Sequence, residues 1–310
     1  MSSTWEVIIA GGGVAGLSAA LMLGRARRRV LVIDAGQPRN RFADAMHGVL
    51  GNEGVNPADL LARGRTEVAR YGVEISTGSI HQVGEQGPGL SVDLDDGTRL
   101  STRALVVATG MRDELPTVPG LGERWGTTVL HCPYCHGWEV RGQRLGVLGV
   151  SAMSLHQAQL IRQWSDDVVL FAAPDLLDDT MAARLRARGV RIVGPAVEVL
   201  GEGPAISGVR TADGQVVEVD ALFSASVPRP HDNFLAALDL ARTDTPVGSF
   251  LAVDATGRTS SPAIWAAGNV VNPAATVPVS AGAGNTVGGA VNMALVADDF
   301  DRALIEGMDR

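Results

Sequence analysis

The sequence predicts an α/β protein made of two strand–turn–helix–strand units, the second set between the two halves of a domain that the first unit opens. Three observations carry this. The 310 residues are 45% apolar and only 19% charged, with 38 glycines, a composition suited to buried strands and tight turns and not to a helical bundle. The segment "EVIIAGGGVAGLSAALMLGRARRRVLVIDAG" has the order apolar run, glycine turn, helix, apolar run, and "RLGVLGVSAMSLHQAQLIRQWSDDVVLFAAP" repeats that order further along. At this length two domains are the natural expectation.

In the first unit Val7 to Ala10 is a buried strand, "LSAALMLG" is a helix, and Val30 to Ile33 is a second strand that ends in Asp34. Between the first strand and the helix Gly11, Gly13 and Gly16 give the G-x-G-x-x-G spacing of a Rossmann-like dinucleotide site. One glycine makes the turn, one lets backbone approach a pyrophosphate, and one lets helix and strand pack closely. The helix N-terminus then offers free N–H groups to the phosphates, and Asp34 is placed to accept hydrogen bonds from the adenosine ribose. Later, Ala104 to Ala108 reads as a buried strand leading into Thr109 and Gly110, and Pro116 and Pro119 punctuate a hinge. After the second unit, "SPAIWAAGNV" is a strand that returns to the first domain, and "SAGAGNTVGGAVNMALVADDF" is a helix of small residues. The expected domains are 1–116 with 244–310, and 117–243.

A net charge of −8 argues against a partner bound through phosphate neutralisation, so no nucleic acid is expected. The basic run "GRARRRV" reads as a solvated helix end whose arginines complement the dipole. No run of roughly 18 apolar residues occurs, so no membrane partner is expected, and the chain reads as soluble and cytoplasmic.

The two cysteines of the chain lie together in "HCPYCHGWE", residues 131–139. A zinc site would need His131, Cys132, Cys135 and His136 to converge from adjacent positions, which is awkward, so no metal is expected. A structural disulfide across two residues closes too small a loop to stabilise much. A redox dithiol fits the spacing directly, because a CxxC turn leading into a helix lowers a thiol's pKa and lets the pair cycle. Two of only six histidines bracket the pair, and an imidazole can take a proton from an incoming thiol near neutrality.

With these motifs in place, the chain resembles the low-molecular-weight thioredoxin reductase group of two-domain flavoproteins. The resemblance covers nearly the whole length: Gly11, Gly13, Gly16 and Asp34, the "ATG" at 108–110, the CxxC, and the terminal "AAGN" strand and helix. It implies FAD as cofactor, with the CxxC against the flavin. It puts the first four residues on the ADP portion, with Arg39, Asn40 and Arg41 of "PRNR" close by, and lays the chain at His47 along the isoalloxazine. It also puts Thr109 and Gly110 in the FAD domain, Gly268 and Asn269 near the ribityl-phosphate, and Thr276 and Val277 just before the helix that approaches the flavin. The family usually has Gly-Asp where this chain has Gly268-Asn269, and Asn still donates and accepts hydrogen bonds.

A member of that group using NADPH would carry an intact second glycine turn and a basic cluster after the next strand. This chain has "GVSAMS" at 149–154 and "LFAAP" at 170–174, with bulkier residues in the turn and no basic cluster. The "HCxxCHG" arrangement further resembles the FAD-dependent dithiol oxidases of the gliotoxin and holomycin type, which have a degenerate nicotinamide site. That implies Cys135 as the flavin-proximal sulfur and Cys132 as the exposed one. It also implies a proton-transfer role for His131 or His136, a small-molecule dithiol and O₂ as substrates, and a homodimer. A disulfide reductase fed by NADH, NADPH or ferredoxin stands as the alternative, and a flavin-containing protein that only sequesters thiols as a third reading.

Overall fold

The structure, a computed structural model, describes residues 4–308 and divides into two compact units. The first holds the chain up to Arg41, Pro57–Arg112 and the segment from Pro228 onward, and the second holds Phe42–Asn56 and Asp113–Val227.

The first unit opens with β1 (Thr4–Ala10), α1 (Val14–Arg25), β2 (Val30–Asp34), α2 (Pro57–Ala69) and β3 (Glu74–Thr77). These strands pair in parallel, with Val7 beside Val30 and Asp34 beside Thr77. β4 (Ile80–Gln86), β5 (Gly89–Leu94) and β6 (Arg99–Val107) form an antiparallel meander, and the distal half of β6 runs parallel both to β1 and to the strand Ile264–Ala266. Strands covered on both faces read as continuous apolar runs, and Val7, Ile8 and Ile9 are all fully buried. Val7, Ile9, Val30 and Val32 face the helices on one side, whereas Ile8, Leu31, Leu105 and Ile264 face Val83, Leu90 and Leu235 on the other.

The second unit repeats the theme around five parallel strands, in the order Arg191–Val193, Val168–Ala172, Leu145–Gly149, Ala221–Ser224 and Val129–Leu130. The helix Ala152–Ile161 connects Leu145–Gly149 to Val168–Ala172, and a three-stranded antiparallel sheet spans Ala196–Val217. The structure is thus the expected α/β pair of dinucleotide-binding domains, the second inserted in the first. The units change at 112 and at 227. Residues 228–243 pack with the first unit because Leu235 enters its core and Arg242–Thr245 pairs with Gly248–Leu251. Residues 42–56 pack with the second, where a Cβ added at Gly126 would lie 2.5 Å from that of Phe42.

The helix Val277–Met308 crosses α1 at a distance only glycine permits. A Cβ on Gly284 would lie 2.0 Å from the carbonyl oxygen of Ala15, and one on Gly288 would lie 2.8 Å from that of Ala19. The far end of this helix is fastened electrostatically. Arg28, 10% exposed, lies 2.7 Å from both Glu6 and Asp299, while Arg103 reaches Asp298 at 2.7 Å and Asp299 at 2.5 Å. Arg28 is therefore spent inside the unit, not on a solvated helix end as the sequence suggested. The reason is the chain reversal after α1: Arg27 adopts a left-handed φ of 63°, which turns the next residue back over β1. Among the described residues no helix is long and apolar enough to cross a membrane.

Gly284→Val is expected to destabilise the first unit by about 3 kcal/mol, because two backbones in contact cannot part without losing the rest of the interface. A thermal or urea melt checks this, with Gly282→Val as the control, since a Cβ there meets nothing within 4 Å.

Candidate active site

The glycine turn of the first unit divides its glycines by task. Gly11 sits at φ 103°, and a Cβ there would lie 2.4 Å from the Ala108 carbonyl oxygen; at Gly16 a Cβ would lie 1.9 Å from the Gly11 carbonyl oxygen. Both are required by the protein's own packing. Gly13, at the N-cap of α1, is different, because a Cβ there would meet nothing within 4 Å. The space it leaves belongs to a pocket lined by Gly13, Val14, Pro38, Asn40, Leu61 and Val277. Three of the residues expected at the cofactor, Gly13, Asn40 and Val277, thus come together although they lie far apart in the chain.

Asp34 ends β2 beside this turn. Its carboxylate accepts the Gly36 N–H at 3.2 Å and an Arg65 N–H at 2.8 Å, and it stays only 16% exposed. A carboxylate has about four acceptor directions, so two bonds leave capacity for ribose hydroxyls. Arg65, on α2, escaped the sequence reading; only its helical position across from Asp34 reveals it. Arg41 donates to the Pro38 carbonyl at 3.1 Å, closing the turn that carries Arg39 and Asn40.

Thr109 donates its hydroxyl to the His231 carbonyl at 2.6 Å, and the Gly110 carbonyl accepts the His231 N–H at 3.0 Å. Burial, with Arg112 and Arg41 nearby, lowers the His231 pKa below its ordinary value. Gly268 takes φ 79°, and the Asn269 amide donates to the carbonyls of Asn272 and Ala275, each at 3.0 Å. An aspartate could not make these bonds, which explains the chain's Gly-Asn. The loop they close delivers Thr276, whose carbonyl accepts the Ser280 N–H at 2.9 Å, and Val277 starts the helix itself instead of preceding it. A dinucleotide cofactor fits this donor set: an open glycine at a helix N-terminus, a carboxylate at the neighbouring strand end, and a second helix start alongside.

The dithiol lies in the second unit. Pro133–His136 forms a short helical turn with Pro133 buried, and the Cys132 carbonyl accepts the N–H groups of Cys135 and His136 at 3.1 and 3.2 Å. Gly137 ends the turn against Trp164, whose ring a Cβ would approach to 2.7 Å, and Tyr134 meets the same ring edge-on at 5.8 Å. Neither cysteine is in a disulfide, and both are half-buried. Among the described residues no group of three His, Cys, Asp or Glu side chains is arranged to hold a metal.

The two histidines differ in setting. His131 Nδ1 lies 3.3 Å from the Ser224 carbonyl, and its own carbonyl accepts from Gln157 at 2.7 Å, so it is built into the sheet edge. His136 has a buried Nδ1 with no hydrogen-bond partner. Burial lowers its pKa, opposed by the Cys132 carbonyl and the Glu139 carboxylate. It is therefore mainly neutral at pH 7, the form that accepts a proton. His47 lies in the second unit, with Glu53 and Glu139 at its ring nitrogens.

The second turn, Gly149–Ser154, is closed. Ser154 occupies the place of the third glycine, is fully buried, and its hydroxyl accepts the Val150 N–H at 3.2 Å. That N–H is thus already satisfied within the turn. Val150 and Met153 project outward, 44% and 52% exposed, and Ala172 and Ala173 follow where a basic cluster would stand.

Fold and site together define a dinucleotide-dependent oxidoreductase that carries a CxxC pair. The pyridine nucleotide-disulphide oxidoreductase family matches residues 5–291, and the chain belongs to it. It is 30% identical over 315 residues to thioredoxin reductase tcpT of Claviceps purpurea, covering 96% of both chains. It is 34% identical over 174 residues to a probable thioredoxin reductase of Arthroderma benhamiae, a match that spans 54% of this chain and only 43% of that one. The crystal structure of HlmI superposes with a TM-score of 0.93 at 43% identity, covering 99% of this chain and 97% of its own. The chain is thus a flavoprotein with FAD as cofactor, acting on sulfur groups.

Gly13→Val is expected to leave the fold intact and purify colourless, whereas Gly16→Val is expected not to fold. Circular dichroism and the ratio of flavin to protein absorbance separate the two.

Proposed function

We propose that the protein is an FAD-dependent dithiol oxidase that closes a disulfide in a small-molecule dithiol, with O₂ as acceptor and H₂O₂ as product. The observation that supports this best is the contrast between an intact dithiol turn and a nucleotide turn whose backbone donor is occupied by Ser154 in the same unit. Electrons then have a way in through sulfur, while the usual entry through a nicotinamide is disfavoured.

The residues divide the work. With the enzyme pair oxidised, a substrate thiolate attacks Cys132 and expels Cys135 as thiolate. The second substrate thiolate then attacks the mixed disulfide, leaving both enzyme sulfurs reduced and the substrate oxidised by two electrons. His136, neutral because of its burial, takes the proton of the incoming thiol. Gly11, Gly13, Gly16 and Asp34 would hold the ADP part of FAD, with Arg39, Asn40 and Arg41 beside it and Thr109, Gly110, Gly268, Asn269, Thr276 and Val277 along the rest. Bound FAD supplies the two-electron acceptor for Cys135 and the donor for O₂, which takes two protons. By family expectation the enzyme works as a homodimer in the cytoplasm. The names of its relatives, thioredoxin reductases, favour a second reading in which electrons run from a reductant to a disulfide.

Oxygen uptake on adding dithiothreitol to the FAD-loaded protein, without nicotinamide, tests the oxidase. It is expected to proceed with stoichiometric H₂O₂ and to fall to background in Cys135→Ser; no uptake by the wild type sinks the proposal.

The pH profile tests the base. A histidine with a lowered pKa keeps its proton-accepting form as pH falls through 6.5, so kcat at saturating dithiol is expected to hold its plateau there and drop only at lower pH. His136→Asn is expected to lower that plateau by about 100-fold.

A further inference from the structure

The helix Val277–Met308 has two apolar faces, and the first unit uses one of them. Gly284, Gly288, Val291 and Leu295 are buried on that side. On the opposite side Val279, Thr286, Met293 and Phe300 recur every seven residues, with Gly289 and Val296 between them and Leu304 and Met308 beyond. Seven residues are close to two helical turns, so these positions form one strip, about 44 Å long from Val279 to Met308. It faces outward: Met293 and Phe300 are each 75% exposed, Leu304 66% and Met308 80%.

The outward face of a surface helix ordinarily carries its charges. Here most of them are spent elsewhere, Asp298 and Asp299 on Arg103 and Arg28, and Arg302 on Asp298 at 2.9 Å. Asp301 borders the strip and Glu306 falls on the far side, so the centre line holds no charge. An apolar strip of this length left to water marks an interaction surface.

Its shape says what it fits. Bulk is confined to one half. Before Met293 the strip holds only Val279, Thr286 and Gly289, and a Cβ on Gly289 would meet nothing within 4 Å; after it come Val296, Phe300, Leu304 and Met308. A two-fold axis through Met293 lays the helix antiparallel to its own copy and matches the halves. Phe300 and Thr286 are each seven residues from Met293, so Phe300 of one copy falls opposite Thr286 of the other. Ala297 falls opposite Gly289 in the same way, and Val279 falls between Leu304 and Met308. Large meets small along the strip, and does so twice, as an isologous contact requires. An unrelated partner would not call for two halves that complement each other.

We propose that the strip from Val279 to Met308 is a dimer surface whose occupant is the same strip of a second copy, antiparallel and crossing at Met293. The expected homodimer thereby acquires a surface and a register. The pairing is independent of which way electrons flow through the dithiol.

Sedimentation of the FAD-loaded protein at micromolar concentration is expected to give a dimer. Leu304→Glu is expected to raise the dimer dissociation constant about 100-fold, because a two-fold contact buries the new charge twice. Register is read in Cys132→Ser/Cys135→Ser protein, which has no other thiol. There Met293→Cys is expected to be joined to its copy by a short bis-maleimide. Val279→Cys is expected not to be, since Val279 and its copy would lie about 42 Å apart. A monomeric wild type, a dimer that Leu304→Glu leaves as tight, or a dimer that cross-links at Val279 or fails to at Met293 overturns the inference. Flavin absorbance and melting temperature verify that each variant is folded, and the cross-links decide if the glutamate variant is not. A dimer in the expected register that consumes no oxygen would leave the pairing standing and defeat the oxidase alone.

Discussion

The backbone of α1 touches two other backbones, and the rest of the first unit is arranged around that closeness. Gly16 brings the helix against the carbonyl of Gly11, and Gly284 brings the C-terminal helix against the carbonyl of Ala15, with 1.9 and 2.0 Å left for side chains that are not there. No rotamer change can relieve a clash with main chain, so these positions fix where the N-terminus of α1 points. That end carries Gly13, the one member of the triplet whose missing side chain leaves open space. The cofactor cradle is thus a by-product of packing at either side of it. The arginine–carboxylate network at Arg28 and Arg103 secures the helix Val277–Met308 at its far end, where both guanidiniums are largely buried and paired with Asp299.

The same strand–turn–helix topology occurs in the second unit with the opposite outcome. There Ser154 fills the place of the close-packing glycine and satisfies a turn N–H from within. A donor already bonded gains little from a phosphate, so this N–H adds nothing to what the turn could offer a nucleotide. In the proposed reaction the dithiol of that unit, on a turn braced by Trp164 and Pro133, is the port through which electrons enter. The base proposed beside it, His136, is held mainly neutral by burial, the form such a role needs.

What the sequence made legible was local. Gly11, Gly13, Gly16 and Asp34 lie within one strand–turn–helix–strand unit, and CxxC with its flanking histidines within six residues, so spacing alone shows that they lie together. What stayed hidden depends on contacts between distant segments. Arg65 reaches Asp34 across 31 positions, and Glu139 meets His47 through the fold of residues 42–56 onto the second unit. Residues 228–243 form a short 3₁₀ turn and one edge of a two-stranded ribbon, and Leu235, with Phe234, Leu238 and Leu240, packs into the core of the first unit. Asn269 could be read only as a departure from a family pattern until its amide was seen to close the loop behind it.

The direction from which electrons enter is tested most directly by an anaerobic titration of the flavin band. One equivalent of dithiol per FAD should bleach the band, and admitting air should restore it, while NADPH leaves it unchanged. Bleaching by NADPH within seconds, with no response to dithiol, would contradict the account.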